Sequence, residues 1–271
     1  MGTSTAIDIE AAATALGDGL HRLHVAGRSV IVKHDARAPA DFFAAEARGL
    51  EALALASALR TPQVLGHGAN WIAMEDLGAA RPGAGYWARA GSGLACLHRV
   101  HSERFGFDRD GYCGPTPQAN TPMDDGHTFF AQCRLLPQLA MARNAGHLSA
   151  RECARGEHIA QRLDSRVPVM PPVLLHGDLW LGNLHCCGNG EPALIDGGAV
   201  HHGWAEAEQA MVVLFGEPGR GFFEAYAAHA PLARDWRERA PLYNLYHLLN
   251  HLNLFGSGYH GQVAAVLQRY G

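Results

Sequence analysis

The most constraining feature of this sequence is the segment 174–200, which reads LLHGDLWLGNLHCCGNGEPALIDGGAV. Asp178 stands two residues after a histidine, Asn183 follows five residues later, and Asp196 ends an apolar run that leads into two glycines. In phosphoryl transfer, one carboxylate orients the attacking hydroxyl, while an asparagine and a second aspartate hold the magnesium that neutralises charge on the phosphates. The pattern therefore predicts that Asp178 is the catalytic base and that Asn183 and Asp196 are the Mg²⁺ ligands.

Short strands at residues 173–175 and 193–195 are predicted to lead into the two motifs. A hairpin between these strands would place Asp178 and Asp196 on one side of a cleft, where two carboxylates require a cation between them. Magnesium fits because no ligand set has the spacing of a zinc site, and His185-Cys186-Cys187 lacks a second ligand pair. The alternative is that both motifs are ordinary turns, since Gly, Asp and Asn are common turn residues.

Length, charge and hydropathy narrow the class of protein. A chain of 271 residues with 48% hydrophobic content can form two lobes around a cleft. Its net charge of −4, without a Lys/Arg cluster, argues against a nucleic-acid partner. No apolar run approaches the ~20 residues of a membrane helix, and the first residues lack a signal-peptide pattern. A cytoplasmic protein with no membrane partner is expected, and its six scattered cysteines are expected to be reduced thiols.

The N-terminal part is predicted to be a small sheet with one long helix. An Ala-rich helix at residues 7–16 precedes strands at 20–25 and 29–33, and Lys33 closes the second strand. A helix at 40–59 carries Glu46 near its start. A strand lysine and a helix glutamate are the pair with which protein-kinase-like enzymes hold ATP phosphates. The alternatives are a solvated strand end for Lys33 and a carboxylate favoured by the helix dipole for Glu46.

Further strands at 62–65 and 71–74 end at Glu75-Asp76-Leu77-Gly78, where the pattern breaks. Backbone groups near Glu75 and Leu77 are predicted to hydrogen-bond the adenine, so that 1–77 forms a nucleotide-binding lobe and 78–271 a catalytic and substrate-binding lobe. The second part is predicted to be mainly helical, which makes the fold class α+β with two lobes. Its helices are expected at residues 86–100, 128–146, 150–166, 204–215, 221–229 and 240–255 and from 262 onward, with a long loop at 105–125.

The chain resembles the fructosamine kinase (ketosamine-3-kinase) family, within the protein-kinase-like and aminoglycoside-phosphotransferase-like group. The resemblance is carried by HGDLWLGN at 176–183, GFDRDGYCGPTPQAN at 106–120, RLLPQL at 134–139, AEAEQAMVVLFG at 205–216 and LYHLLNHLNLFGSGY at 245–259. It implies ATP- and Mg²⁺-dependent phosphorylation of the sugar 3-hydroxyl of ketoamines formed on small amines or on protein lysines. The phosphorylated product breaks down and frees the amine, which makes such enzymes deglycating.

Position by position, the resemblance implies that Asp178 is the base, that Asn183 and Asp196 bind magnesium, and that Lys33 with Glu46 positions the phosphates. Trp180 would flank the sugar, with a core aromatic as the alternative interpretation. His251 is a second substrate-side candidate, with a hydrogen-bonded structural histidine as an equal alternative.

The sequence departs from the family pattern at two places. Only Gly17-Asp18-Gly19 and two short strands fit before Lys33, so the small lobe is expected to be truncated and its cover over the phosphates reduced. Gly197-Gly198 follow Asp196 where the family usually has proline, and Trp204-Ala205 stand where arginine is expected. Two alternatives therefore stay open: a catalytically impaired nucleotide- or metabolite-binding paralogue, and a phosphotransferase acting on an aminoglycoside-like acceptor.

Overall fold

A computed structural model describes residues 14–17, 19–25 and 27–271. The N-terminal part forms one five-stranded sheet in the order β1-β2-β3-β5-β4, in which every neighbouring pair is antiparallel. Its strands are β1 (Thr14–Gly17), β2 (Leu20–Val25), β3 (Arg28–His34), β4 (Val64–Gly68) and β5 (Trp71–Glu75). The strands predicted at 20–25, 29–33 and 71–74 are confirmed, while the one predicted at 62–65 begins two residues later.

The helix α1 (Phe42–Ala56) packs on this sheet. Its Phe43, Ala47 and Leu50 form a buried cluster with Ile72 and Met74 of β5. The helical spacing of the apolar residues in α1 and the two-residue alternation in β5 direct both sets toward the same interface. The predicted helix at 40–59 is therefore confirmed with shorter ends.

The prediction of an Ala-rich helix at 7–16 is wrong for residues 14–16, and its earlier residues lie outside the described part of the chain. Thr14 pairs with Arg22 and Gly17 with Leu20, so residues 14–25 form a hairpin. Gly19 has φ +69°, and a Cβ there would lie 2.2 Å from the carbonyl oxygen of His34. Pairing with β2 therefore overrides the helix propensity of alanine, and the sheet has five strands where the sequence predicted four.

The C-terminal part is mainly helical. Its longest helix, α8, is lined with buried residues and packs against the preceding helices in the main core cluster. No helix among the described residues is long and apolar enough to cross a membrane. The helices are α2 (Tyr86–Leu97), α3 (Gly126–Phe130), α4 (Leu136–Asn144), α5 (Ala150–Gln161), α6 (Ala205–Val212), α7 (Phe222–Ala227), α8 (Trp236–Phe255) and α9 (His260–Tyr270), and a π-helical turn, Ala131–Leu135, joins α3 to α4.

Three short antiparallel pairs lie among these helices. They are β6 (Gly111–Cys113) with β7 (Thr116–Gln118), β8 (Val173–Leu175) with β11 (His201–Gly203), and β9 (Leu184–Cys186) with β10 (Pro192–Leu194). The predicted hairpin between residues 173–175 and 193–195 is therefore wrong. β10 instead pairs with β9, which the sequence analysis missed, because residues 187–191 form a short turn that returns the chain directly onto that strand.

Candidate active site

The two parts of the chain meet where α1 crosses the turn after Asp196. A Cβ on Gly49 would lie 1.8 Å from the carbonyl oxygen of Gly197, and a Cβ on Gly197 would lie 2.6 Å from the backbone nitrogen of Leu50. Only glycine at both positions permits this approach of the two backbones. The departure from the family pattern at residues 197–198 therefore coincides with a close contact that fixes α1 against the turn.

Lys33, Glu46 and Asp196 form one charged cluster. The Lys33 Nζ donates to Glu46 Oε1 at 2.6 Å and also contacts Asp196 Oδ1. Glu46 is buried, whereas the Asp196 side chain is 42% exposed and faces the cleft. Asp196 itself has φ +64°, a left-handed conformation that non-glycine residues adopt infrequently and at a cost in energy. The predicted strand–helix pair forms, and it extends to the second aspartate.

The loop after β8 is held by His176 and Asn183. The His176 ring is fully buried: its Nε2 donates to the Ile195 carbonyl oxygen at 2.6 Å, and its Nδ1 accepts from the Asp178 backbone N–H at 3.4 Å. The Asn183 Nδ2 donates to the Asp178 carbonyl oxygen at 2.9 Å. Because its nitrogen is engaged there, the Asn183 Oδ1 is the atom that can act as a metal ligand. His176 thus ties the backbone of Asp178 to the residue that precedes Asp196.

Beneath this loop lies the carboxylate of Glu208, on α6. Its Oε1 accepts from the Gly177 N–H at 2.7 Å, and its Oε2 contacts His98 Nε2 at 3.0 Å. The other nitrogen of His98 contacts the Tyr226 hydroxyl at 2.8 Å. Burial opposes ionisation of Glu208, but the bonds from His98 and Gly177 outweigh it and lower its pKa. The network therefore holds the turn before Asp178 with an ionised, buried acceptor.

The environment of Asp178 favours proton acceptance. Its side chain is 22% exposed, and burial raises its pKa, with a further contribution from Glu208, while His176 and His251 act in the opposite direction. His247 Nδ1 lies 3.6 Å from Asp178 Oδ1, and burial lowers the pKa of His247 to about 3. His247 is therefore neutral at physiological pH and does not pair with Asp178 as a charged partner.

One cleft of about 1090 Å³ brings together the predicted catalytic, phosphate-positioning and metal residues. Gly19 and Leu20, at the end of the β1–β2 hairpin, line this cleft, and the reduced cover over the phosphates stays a prediction. The predicted site residues in its lining are Lys33, Glu46, Asp178, Trp180, Asn183 and Asp196.

A second cavity of about 920 Å³, which we call the aromatic cavity, shares Asp178 with this cleft and is lined by the rings of Trp180, Phe215, Phe255 and Tyr259. Trp180 and His251, the two residues predicted to contact the substrate, both line it. The Trp180 side chain is exposed rather than part of the core, and its ring lies 6.4 Å from that of Phe215. His251 packs among aromatic rings, 5.0 Å from both Phe215 and Tyr259, and its Nδ1 bonds the His247 carbonyl oxygen at 2.8 Å. His251 therefore has the hydrogen bond of a structural histidine and also lines this cavity, and its contact with the substrate stays a prediction.

The segment predicted to contact adenine lies apart from these cavities. The Glu75 backbone N–H donates to Gln63, and its side chain pairs with Arg60. The Leu77 carbonyl oxygen accepts from Gly188 at 2.9 Å. The Leu77 N–H donates no hydrogen bond to another backbone group among the described residues. The side chains of Glu75 and Leu77 line neither of the two cavities.

Sequence reasoning missed the residues that shape the loop at 105–125. Arg134 is fully buried and donates to the Ala119 carbonyl oxygen at 2.6 Å and to Asn120 Oδ1 at 2.9 Å. Gln118 donates to the Ala199 carbonyl oxygen at 3.0 Å. The loop thereby presents its β6–β7 turn to the cleft. Both motifs, PTPQAN and RLLPQL, can be seen in the sequence, but the sequence does not show that their residues hydrogen-bond to each other.

A family model for fructosamine kinase matches residues 3–270 of the chain. A probable ketoamine kinase from Synechocystis is 38% identical over 232 residues, which cover 84% of this chain and 78% of the relative. The chloroplastic protein-ribulosamine 3-kinase of Arabidopsis thaliana is 37% identical over 84% of this chain and 72% of its own length.

Solved structures of kinases are also similar to this chain. A proposed fructosamine-3-kinase from Thermobifida fusca superposes with a TM-score of 0.87 at 36% identity, covering 95% of this chain and 91% of that one. An ADP-bound aminoglycoside phosphotransferase superposes with a TM-score of 0.60 at 12% identity, over 95% of this chain and 91% of its own. That second likeness concerns the fold alone, and it confirms the predicted two-lobed, protein-kinase-like architecture.

Proposed function

This chain belongs to the fructosamine kinase family, and from that premise we propose that it transfers the γ-phosphoryl group of ATP to the 3-hydroxyl of a ketoamine. The chain is a phosphotransferase with an alcohol group as acceptor. The observation that carries the detailed proposal is the convergence of Lys33, Asp178, Asn183 and Asp196 on one cleft.

Asp178 is the proposed base. Its carboxylate lies at the border of the two cavities, so an acceptor hydroxyl in the aromatic cavity can approach it while phosphates occupy the cleft. Burial raises its pKa, which strengthens its carboxylate as a proton acceptor. The bonds of His176 and Asn183 to its backbone hold it in place before the acceptor arrives.

Lys33, held by Glu46, is the proposed phosphate-binding residue, and Asn183 and Asp196 are the proposed magnesium ligands. Glu46 holds the Lys33 ammonium, which leaves that charge available to phosphate oxygens. The Asn183 Oδ1 and the Asp196 carboxylate are hard oxygen donors, the ligand type that Mg²⁺ prefers. When bound, Mg²⁺ would neutralise charge on the transferred phosphoryl group.

For adenine, the Leu77 N–H and the Glu75 carbonyl oxygen are the proposed partners, because backbone groups at the junction of the lobes face the base in this fold. The proposed boundary between a nucleotide-binding lobe, 1–77, and a catalytic and substrate-binding lobe, 78–271, falls at the same segment. These assignments rest on position and stay predictions.

The aromatic cavity favours a ketoamine over an aminoglycoside-like acceptor. Asp178 is the single carboxylate among its described lining residues, whereas a polycationic acceptor requires several negative groups to replace its hydration. Trp180 and Phe215 offer flat apolar faces that can pack on the C–H surface of a sugar. Trp180 and His251 are therefore the proposed substrate contacts, and the acceptor is a glycated small amine or a glycated protein lysine.

The proposal is tested by measuring ATP consumption against fructosyl amines, their 3-deoxy analogues and aminoglycosides. We expect turnover with the fructosyl amines alone, because the analogue lacks the accepting hydroxyl and the cavity lacks carboxylates for a polycation. Turnover of an aminoglycoside would contradict the acceptor assignment. ATP binding without turnover of any acceptor would favour the catalytically impaired paralogue.

A further inference from the structure

Cys113, Asp178 and His247 bring three potential metal ligands together. Cys113 and Asp178 line the aromatic cavity, and His247 is buried next to them. His247 Nδ1 lies 3.6 Å from Asp178 Oδ1 and 3.9 Å from Cys113 Sγ. One ligand atom from each of the three residues lies within 4.8 Å of the others. The proposed phosphoryl transfer uses Asp178 but gives no role to the thiol or to the imidazole.

These separations are close to those of a four-coordinate metal site. With metal–ligand bonds of about 2.0–2.3 Å, the edges of a tetrahedron of sulfur, nitrogen and oxygen ligands measure roughly 3.3–3.7 Å. The 3.6 Å separation of His247 and Asp178 lies inside that range, and the 3.9 Å separation of His247 and Cys113 exceeds it by about 0.2 Å. The third separation, between Cys113 and Asp178, is at most 4.8 Å, so a rotation of either side chain closes the site. Cys113 is already oriented, because the Asn250 Nδ2 donates to its carbonyl oxygen at 3.1 Å and to its Sγ at 3.4 Å.

The thiol of Cys113 and the imidazole of His247 make this ligand set unsuitable for Mg²⁺. Thiolate and imidazole are ligands for Zn²⁺ and similar borderline ions, whereas Mg²⁺ takes oxygen ligands. Three protein ligands leave one tetrahedral position open. Asp178 and Cys113 both line the aromatic cavity, so the open position faces the space proposed for the acceptor.

We propose that Cys113, Asp178 and His247 form a binding site for Zn²⁺ or a similar borderline divalent ion, separate from the magnesium site at Asn183 and Asp196, and that occupation of this site inhibits the enzyme. Zn²⁺ binds as the Cys113 thiol loses its proton to solvent and the Asp178 carboxylate donates an oxygen lone pair. A carboxylate bound in this way cannot accept the proton of the acceptor hydroxyl. Metal binding itself is independent of the proposed phosphoryl transfer, while the inhibition rests on the proposed role of Asp178.

The sequence did not show this site because its ligands come from three distant segments. Cys113 ends β6, Asp178 follows β8, and His247 lies in the middle of α8. No pair among them has the short spacing by which zinc sites are usually found in a sequence. Only the packing of α8 against the loop at 105–125 brings them together.

The first test uses Co²⁺ as a spectroscopic probe, with excess Mg²⁺ present to fill the oxygen-ligand site. The wild-type chain should bind one Co²⁺ with the near-ultraviolet thiolate charge-transfer band and the strong visible bands of a tetrahedral ion. Cys113→Ser should lose the thiolate band and weaken Zn²⁺ competition by at least about 10-fold, because loss of a ligand costs no less than loss of an outer-shell partner. Cys96→Ser is the matched control, since Cys96 is exposed and belongs to neither cavity.

The second test measures His247→Gln in the same assays, with circular dichroism to establish that the variant is folded. It should retain the fold and weaken Zn²⁺ binding as Cys113→Ser does. In the wild type, Zn²⁺ should inhibit turnover competitively with the ketoamine and not with ATP. Unchanged Co²⁺ spectra and Zn²⁺ affinity in both variants would overturn the site. Binding that follows the predicted pattern in a chain without kinase activity would instead refute the proposed function and leave the metal site standing.

Discussion

Replacement of Gly49 by alanine tests whether the close approach of α1 to the turn after Asp196 sets the active-site geometry. The new Cβ would lie 1.8 Å from the Gly197 carbonyl oxygen, and real contacts of this kind are not shorter than 3.0 Å. The two backbones must therefore separate by about 1.2 Å, the difference between these values. Glu46 lies on α1, and Asp196 directly precedes Gly197, so both partners of Lys33 move.

The expected effects on stability and on activity differ in size. Overpacking costs about 1–3 kcal/mol, while alanine in a helix interior regains about 1 kcal/mol relative to glycine. The net loss of unfolding free energy should therefore be about 0–2 kcal/mol. A displacement of about 1 Å in a catalytic constellation can cost about 100-fold in rate, so kcat/KM for ATP should fall by about that factor.

Gly93→Ala is the matched control. Gly93 lies in α2, and its Cβ would lie 2.3 Å from the Leu59 Cδ2, on a side chain that can rotate, and 3.2 Å from the Ala58 carbonyl oxygen. The control should keep kcat/KM near the wild-type value. Steady-state kinetics and urea denaturation of the two variants provide the comparison. If Gly49→Ala retains full activity and gains stability, the contact with Gly197 does not position the site.

Three further outcomes are expected. Asp196→Ala should abolish the Mg²⁺-dependent rise in melting temperature that ATP produces, whereas Asp164→Ala, an exposed control, should preserve it. His251→Asn should move the acidic limb of the kcat/KM profile to higher pH, because His251 lowers the pKa of Asp178; an unmoved limb would show that the two do not interact. Glu208→Gln should cost about 1.5–3 kcal/mol in urea denaturation near neutral pH. Because the folded-state pKa of Glu208 is lowered, this wild-type advantage should be present above the unfolded pKa and should disappear as pH falls through the folded one.

Local patterns predicted much of the fold and of the site. Alternation identified β2 and β3, and helical spacing identified α1, so the Lys33–Glu46 pair was predictable before any contact was known. The motifs HGDLWLGN and IDGG predicted that Asp178, Asn183 and Asp196 share one cleft. The prediction was possible because the two motifs are separated by only a short segment of the chain. These features depend on residues near one another in the sequence.

The errors and omissions concern long-range or competing interactions. Residues 14–16 read as helical because alanine favours helices, but pairing with β2 places them in a strand. The bond between Glu208 and Gly177, like the partnership of Arg134 with Asn120, joins segments that sequence spacing does not relate. Pairing of β10 with β9 rather than with β8 was unpredictable for a similar reason, since three-residue strands carry too little pattern to fix their partners.

The most direct test of the proposed mechanism is Asp178→Asn, assayed for ketoamine phosphorylation and for ATP binding in the same preparation. The change removes the proton-accepting carboxylate but keeps the size of the side chain. Asp178 acts on the acceptor hydroxyl and not on the nucleotide in this account, so kcat should fall by at least ~99% while calorimetric Mg²⁺–ATP affinity stays close to that of the wild type. Near-normal turnover in a folded variant that still binds ATP would contradict the assignment of Asp178 as the base.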